Sequence, residues 1–316
     1  MNKLKGILLT QGMHGMISQV EGLAKALDID FTHHTVELNN FWKMIPPKLT
    51  PISQSVYKKI NQSEFDLIIS CGRKSVIPSI HLKKLSNKNV FNIHIQNPKV
   101  SLNNFDLVIC PEHDNLNGEN VIKTKGSIHY LSKKEIINNS KYLKIDKEKK
   151  KIVTFIIGGP NKYYDYSDDQ VHYLFNKVKK LFTPDKYKIV LIPSYRTPEN
   201  VVKIAFNTFS FNHYVIKNID KKAYLSSLAI ADYIIVTCDS TSMISEAAIT
   251  GKPIYIGMMK AKLGNRRFKY FYNQFNKLGI TKELTESIDN WSYDKLDEVN
   301  RIIPIIRGRL KSNGII

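Results

Sequence analysis

Short apolar runs alternate with amphipathic stretches along almost the whole chain. KGILLT (5–10) reads as a strand, and SQVEGLAKAL (18–27) as a helix with Val20, Leu23, Ala24 and Leu27 on one face. FTHHTVEL (31–38) is a weaker strand. FDLIIS (65–70), NVFNIHI (89–95) and FDLVIC (105–110) have the length and continuous apolarity of strands buried on both faces. A second series begins at KIVTFIIGG (151–159) and continues through YKIVLIP (187–193), HYVIKN (213–218), DYIIVTCD (232–239) and KPIYIG (252–257). Helical patterns fit between these strands at 168–182, 197–206, 223–231 and 240–251. Such alternation predicts parallel sheets with crossover helices. The charged, apolar-poor stretch YLKIDKEKKKI (142–152) predicts the boundary. The expected architecture is α/β, with two Rossmann-like doubly wound domains, 1–147 and 148–316, facing a central cleft. A C-terminal helix around 292–311 is expected to return toward the first lobe.

The chain has 316 residues, 42% of them apolar, enough for two cores. No apolar run reaches the roughly 20 residues that span a bilayer. The first apolar run is too short for a signal peptide, and no small-residue cleavage site follows it. The reading is cytoplasmic, with peripheral contact at the inner membrane as a further expectation. Cys71, Cys110 and Cys238 each end a strand-like run, with no CxxC spacing, which predicts buried reduced thiols. The net charge of +19 could attract nucleic acid, anionic lipid or phosphorylated ligands. Only seven of the 47 basic residues are arginine, and no nucleic-acid-binding motif is present, so nucleic acid is set aside. Phosphate-rich ligands and anionic membranes remain. In NRRFKYFYNQFNK (265–277) a helix places Phe268, Phe271, Tyr272 and Phe275 on one face beside Arg266, Arg267 and Lys269. That face could lie on a bilayer; the plainer reading is core.

Candidate chemistry gathers at strand ends. In TCDSTSMISEAAITGKPIYI (237–256) a strand ends near Asp239, and Ser240, Thr241 and Ser242 start a helix, where N–H groups can hold an anion. Glu246, one to two turns on, could accept ribose hydroxyls; the alternative is a capped helix with a surface Glu. Gly158 and Gly159 follow the first strand of the second series, where their bareness would let a ligand approach the backbone, with Asn161 and Lys162 beside them for phosphate. Ser194, Arg196 and Thr197 follow the next strand, with Thr197-Pro198 reading as an N-cap and first helical position. Arg196 offers phosphate a planar fork. In the first half, QGMHGM (11–16) supplies Gly12, His14 and Gly15, but it lacks the GxGxxG of a dinucleotide site. Arg73 sits at a helix start, where a cation opposes the dipole and hints at an anionic ligand. Gln96 and Asn97, then Glu112 and His113, end two further strands. Glu112 and His113 are acid–base candidates. Neighbouring side chains on one loop rarely converge on an ion, so neither metal nor cofactor is expected.

Taken in order, QVEGLAKAL, SCGRKSVIP, HIQNPKVSLNNFDLVICPEHD, KGSIHYL, IIGGPNKYY, SYRTP and TCDSTSMISEAAITGKPIYI resemble the mitochondrial fission "elongated mitochondria" family. That family has plant and bacterial members and a fold similar to glycosyltransferase-B enzymes. The resemblance covers about residues 11–257. It implies donor-nucleotide binding by the EAxxxGxP helix, with Glu246 on the ribose, and an acceptor served by the loop of His14. The functional expectation is transfer of a sugar from a nucleotide-diphosphate sugar to an unidentified acceptor, lipid-linked acceptors included. A non-catalytic interaction protein is the first alternative. A nucleotide-sugar epimerase is the second, weakened by the missing dinucleotide fingerprint.

Overall fold

The computed structural model describes residues 3–61, 64–262 and 264–316. They form two compact units. The first comprises the described residues up to Tyr130 together with Asp297–Ile316, and the second is Leu131–Leu296.

The first unit holds a six-stranded sheet: β1 (Lys5–Thr10), β2 (Asp30–Thr35), β3 (Leu67–Cys71), β4 (Phe91–Ile95), β5 (Leu107–Pro111) and β6 (Val121–Thr124). Its order is β2-β1-β3-β4-β5-β6, and every pairing is parallel. The period-two rule divides β1, β3 and β5 between two cores. Leu8, Ile69 and Ile93 join one cluster, while Ile7, Leu9, Ile68 and Val108 join the other. Helix α1 (His14–Ala26) covers the first face through Val20, Leu23 and Ala24. Helix α2 (Val76–Leu85) covers the second through Val76, Ile77 and Ile80.

The second unit opens with α3 (Lys133–Asn138) and holds β7 (Lys151–Ile157), α4 (Asp168–Leu181), β8 (Tyr187–Pro193), α5 (Glu199–Phe209), β9 (Tyr214–Val215), α6 (Lys221–Ile230), β10 (Tyr233–Thr237), α7 (Thr241–Ala248), β11 (Ile254–Gly257), α8 (Arg266–Lys277) and β12 (Thr281–Glu283). Its sheet is also parallel, in the order β12-β11-β10-β7-β8-β9. The final helix, α9 (Glu298–Ser312), returns to the first unit, where Ile302, Ile306 and Leu310 form a buried stripe four residues apart in the α1-side core. Glu298 accepts the Lys125 N–H (2.8 Å) and pairs with Arg301 (2.7 Å), tying the start of α9 to the end of β6.

The division between units falls at 130/131 and 296/297, not at 147/148. The charged stretch 142–152 lies within the second unit and leads into β7: Leu143 donates its N–H to Ser226 Oγ of α6 (3.0 Å). The aromatic face of α8 is core, since Phe268, Phe271, Tyr272 and Phe275 are all buried, so that face does not meet a bilayer. All three cysteines are buried, and burial pushes the Cys238 thiol up to about 12. Among the described residues no helix is long and apolar enough to cross a membrane.

Candidate functional site

In doubly wound sheets ligands settle at the carboxyl edge where strand order reverses. In the second unit that point lies between β7 and β10, the strands leading to Gly158-Gly159 and to Asp239. The Asp239 side chain is fully buried and collects the surrounding loops. Arg196 approaches one oxygen at 2.6 Å, and the Gly159 N–H donates to the same oxygen at 3.2 Å. Thr237 Oγ1 donates to the other at 2.7 Å, and the Tyr166 hydroxyl joins it there. Arg196 also donates to the Gly159 carbonyl (2.9 Å), and Asn161 Nδ2 to the Asp239 carbonyl (3.0 Å). The loops after β7, β8 and β10 thus converge through one ion pair whose carboxylate is buried and whose guanidinium is partly exposed.

These contacts revise three readings. A Cβ on Gly158 would collide with the Asp239 carboxylate, and one on Gly159 with the Arg196 carbonyl. The glycines make room for the protein's own groups. Thr197 is no N-cap: α5 is preceded by Pro198 with no side-chain cap, and Thr197 Oγ1 turns back to the carbonyls of Ile157 (2.9 Å) and Gly158 (2.7 Å). It also receives the Ser194 N–H at 2.8 Å, so Ser194 and Thr197 brace the turn that presents Arg196.

The start of α7 stays open. Ser240 Oγ accepts the Met243 N–H (3.3 Å), and the first intrahelical bond runs from Ile244 to the Ser240 carbonyl (3.3 Å). The N–H groups of Thr241 and Ser242 precede that bond and lie at the positive end of the helix dipole. Lys162 is exposed on the neighbouring β7–α4 loop. Glu246 is not the surface residue of the alternative reading. It is only 8% exposed and accepts a hydrogen bond from the Tyr224 hydroxyl of α6 (2.8 Å). Burial pushes its carboxyl up to about 7, with the Tyr224 bond opposing. Tyr224 carries no local signal, because it lies 22 residues before Glu246, on the other side of β10. The lysine of the GKP motif is structural, since Lys252 Nζ donates to the Leu228 (2.9 Å) and Ala229 (2.6 Å) carbonyls at the end of α6.

In the first unit the reversal lies between β1 and β3. Gly12 follows β1 with φ +84°, its N–H on Thr10 Oγ1 (3.1 Å). His14 begins α1 and is exposed, with its ring edge-on to Tyr130 at 6.1 Å. The Gly15 carbonyl accepts from Gln19 Nε2 (3.0 Å). Arg73 follows Gly72 after β3 and donates to the Ile45 carbonyl at 2.6 Å. Gln96 stands at φ +85° after β4, and Asn97 Oδ1 accepts the Lys99 N–H (3.0 Å). Glu112 and His113 belong to one short turn after β5, with Glu112 half-buried and His113 buried. His94 is interior, bonded to Ser70 Oγ at 2.8 Å, and burial pushes its imidazole down to about 3. All these loops leave the carboxyl edge of one sheet. Among the described residues no group of three or more His, Cys, Asp or Glu is placed to hold a metal. A cavity of about 600 Å³ opens elsewhere, against Tyr255, Thr281 and Trp291 on the β11–β12 side.

The profile of a family described as mitochondrial fission ELM1 matches residues 14–310. The chain belongs to that family. It is 27% identical to the mitochondrial fission protein ELM1 of Arabidopsis thaliana over 282 residues, 78% of this chain and 64% of that protein. The chain therefore spans less than two thirds of the plant ELM1 protein's length. It is also 27% identical to the uncharacterized protein RP120 of Rickettsia prowazekii (strain Madrid E) over 344 residues, covering 95% of this chain and 96% of that one. Among solved structures, this ELM1-family chain resembles UDP-GlcNAc 2-epimerase from Methanocaldococcus jannaschii in complex with UDP-GlcNAc and UDP. The TM-score is 0.53 at 12% identity, over 96% of this chain and 99% of that one. It likewise resembles S. aureus MnaA in a co-structure with UDP (TM-score 0.52, 14% identity, 98% and 97% covered). The glycotransferase of kitacinnamycin gives a TM-score of 0.53 at 11% identity, with 99% and 94% covered. The fold is that of the two-domain, glycosyltransferase-B-like group.

Proposed function

We propose that the chain binds a nucleotide-diphosphate sugar at the switch point of its second sheet and transfers the sugar to an unidentified acceptor. The observation that carries this reading is the convergence of three strand-end loops on Asp239 beside an open helix start. The diphosphate would lie against the N–H groups of Thr241 and Ser242. Ser194, Ser240, Asn161, Lys162 and the Arg196 guanidinium would supply further donors and positive charge. Glu246 would accept the ribose hydroxyls beside Tyr224. In the reaction, the bond from the anomeric carbon to the diphosphate breaks as the acceptor hydroxyl bonds to that carbon. The hydroxyl proton passes to a general base, for which His14, Glu112 and His113 are the candidates. Gly12, Gly15, Arg73, Gln96 and Asn97 would line the acceptor's side. Catalysis is then mainly positioning and electrostatic stabilisation of the leaving diphosphate. A lipid-linked acceptor would bring the chain to the inner membrane as a peripheral protein.

Thermal melting with UDP-, GDP- and CDP-sugars and with NAD tests the reading. Uridine nucleotides head the panel, because two solved neighbours are described with UDP bound. Stabilisation by one nucleotide sugar, with release of its nucleoside diphosphate on adding acceptor, is the expected result. Stabilisation by NAD, or change of the sugar's configuration without transfer, favours an epimerase. Silence across the panel favours an interaction module without catalysis, the reading supported by membership of a fission family.

A further inference from the structure

The segment between β2 and β3 turns apolar side chains into water. Phe41, Met44 and Leu49 are 68%, 86% and 71% exposed. Their backbone is nevertheless braced. Thr50 Oγ1 donates to the Pro46 carbonyl (2.9 Å), Asn39 Nδ2 to the Ser55 carbonyl (2.7 Å), and Arg73 to the Ile45 carbonyl (2.6 Å). Trp42 packs inward on the α2-side core. An ordered turn therefore holds three apolar tips outward beside the edge strand β2. Lysines interleave with them: Lys43 and Lys48 lie inside the segment, and Lys58 and Lys59 follow it. Glu37 is the only acidic residue from Phe31 to Asn61, and Lys58 neutralises it.

We propose that this face docks on an anionic lipid bilayer. Phe41, Met44 and Leu49 dip below the headgroups while Lys43 and Lys48 meet the lipid phosphates. Two observations favour a bilayer over a second copy of the chain. The net charge of +19 makes two such faces repel. The apolar tips stand on a narrow turn with lysines between them, whereas a stable dimer needs roughly 800 Å² of complementary surface per partner. Apolar tips with snorkelling lysines suit the headgroup boundary. The proposal is independent of sugar transfer, and its test contains no nucleotide.

The test is co-sedimentation of the whole chain with vesicles of phosphatidylcholine alone or with about one-third phosphatidylserine, the lipid whose surface charge draws basic segments. Binding to the anionic vesicles, weakened by raised salt, is expected. The triple variant Phe41→Ser, Met44→Ser, Leu49→Ser should lose at least about tenfold in partitioning. Lys43→Gln and Lys48→Gln should each lose about fivefold. All five side chains are in or near water, so melting temperature should hold in every variant. The proposal is overturned if the wild type ignores anionic vesicles, or if the triple variant binds as well as the wild type. It is also overturned if the wild type is a dimer that the triple variant dissolves.

Discussion

Replacing Glu246 with Gln separates the energetics of burial from those of ligand binding. In the folded chain burial pushes this carboxyl up to about 7, from an ordinary value of 4.5. Between those two values the folded state keeps a proton that the unfolded state releases. Stability from this group is therefore fully present below pH 4.5, and is lost as pH rises toward 7. At about 1.4 kcal/mol per unit, the loss comes to roughly 3 kcal/mol once the folded carboxyl has ionised. Gln keeps the shape and can still accept the Tyr224 hydroxyl, but it cannot ionise. The variant should match the wild type near pH 4 and exceed it by roughly 3 kcal/mol above pH 7. Urea unfolding of both proteins across this range measures the difference directly. The nucleotide arm has the opposite sign. If Glu246 accepts ribose hydroxyls, losing the charged acceptor weakens nucleotide binding by about 1.5–3 kcal/mol, roughly 10- to 150-fold. A stability difference that does not change with pH would refute the burial argument. Unchanged nucleotide affinity, measured by calorimetry, would remove Glu246 from the donor site.

Arg196→Ala leaves the Asp239 carboxylate buried without its counter-charge, and should destabilise the chain by about 3–5 kcal/mol; a loss under about 1 kcal/mol in urea unfolding, the scale of a surface ion pair, would show that the pair acts as one. Gly159→Ala drives a methyl into the Arg196 carbonyl, which is backbone and cannot swing aside, so the folded yield should collapse. A well-folded variant with ordinary melting would refute the steric reading. Asn92 in β4 has both side-chain amide atoms buried with no hydrogen-bond partner among the described residues. Asn92→Leu should therefore stabilise by about 1 kcal/mol or more, the lower end of the penalty for a buried polar group left unpaired. A loss of stability instead would mean that ordered water serves the amide.

The fold was legible because the central strands of both sheets are buried on both faces, so they are largely apolar and stand out between amphipathic helices, whereas the edge strand β2 (DFTHHT) gave a weaker signal. Ile302, Ile306 and Leu310 likewise mark α9 as a helix with one buried stripe. What periodicity cannot say is what lies against a stripe. The spacing of Phe268, Phe271, Tyr272 and Phe275 fits a bilayer and a protein core equally well, and packing in the second unit decides for core. The unit boundary misled for a related reason. A run of lysines marks a solvated connection, and here it marks the approach to β7, while the change of unit at 130/131 has no charge signature.

At the candidate site the same limit inverted the roles of the residues. Charge drew attention to Arg196 and glycine pairs drew it to Gly158 and Gly159, yet Asp239 engages all three from outside their loops: 80 residues separate it from Gly159 and 43 from Arg196. Asp239 has no solvent-exposed side-chain surface, while Arg196 keeps 34% of its own. Most of the conspicuous charge is thus spent holding loops together. In the proposed donor site the remaining donors are backbone groups, the N–H groups of Thr241 and Ser242 ahead of the first intrahelical bond. On the proposed reading the ligand brings negative charge to these N–H groups at the positive end of the helix dipole. That condition fits a diphosphate and argues against a neutral sugar entering alone. Free UDP should therefore protect the second unit about as well as a UDP-sugar does, whereas the sugar without its nucleotide should not.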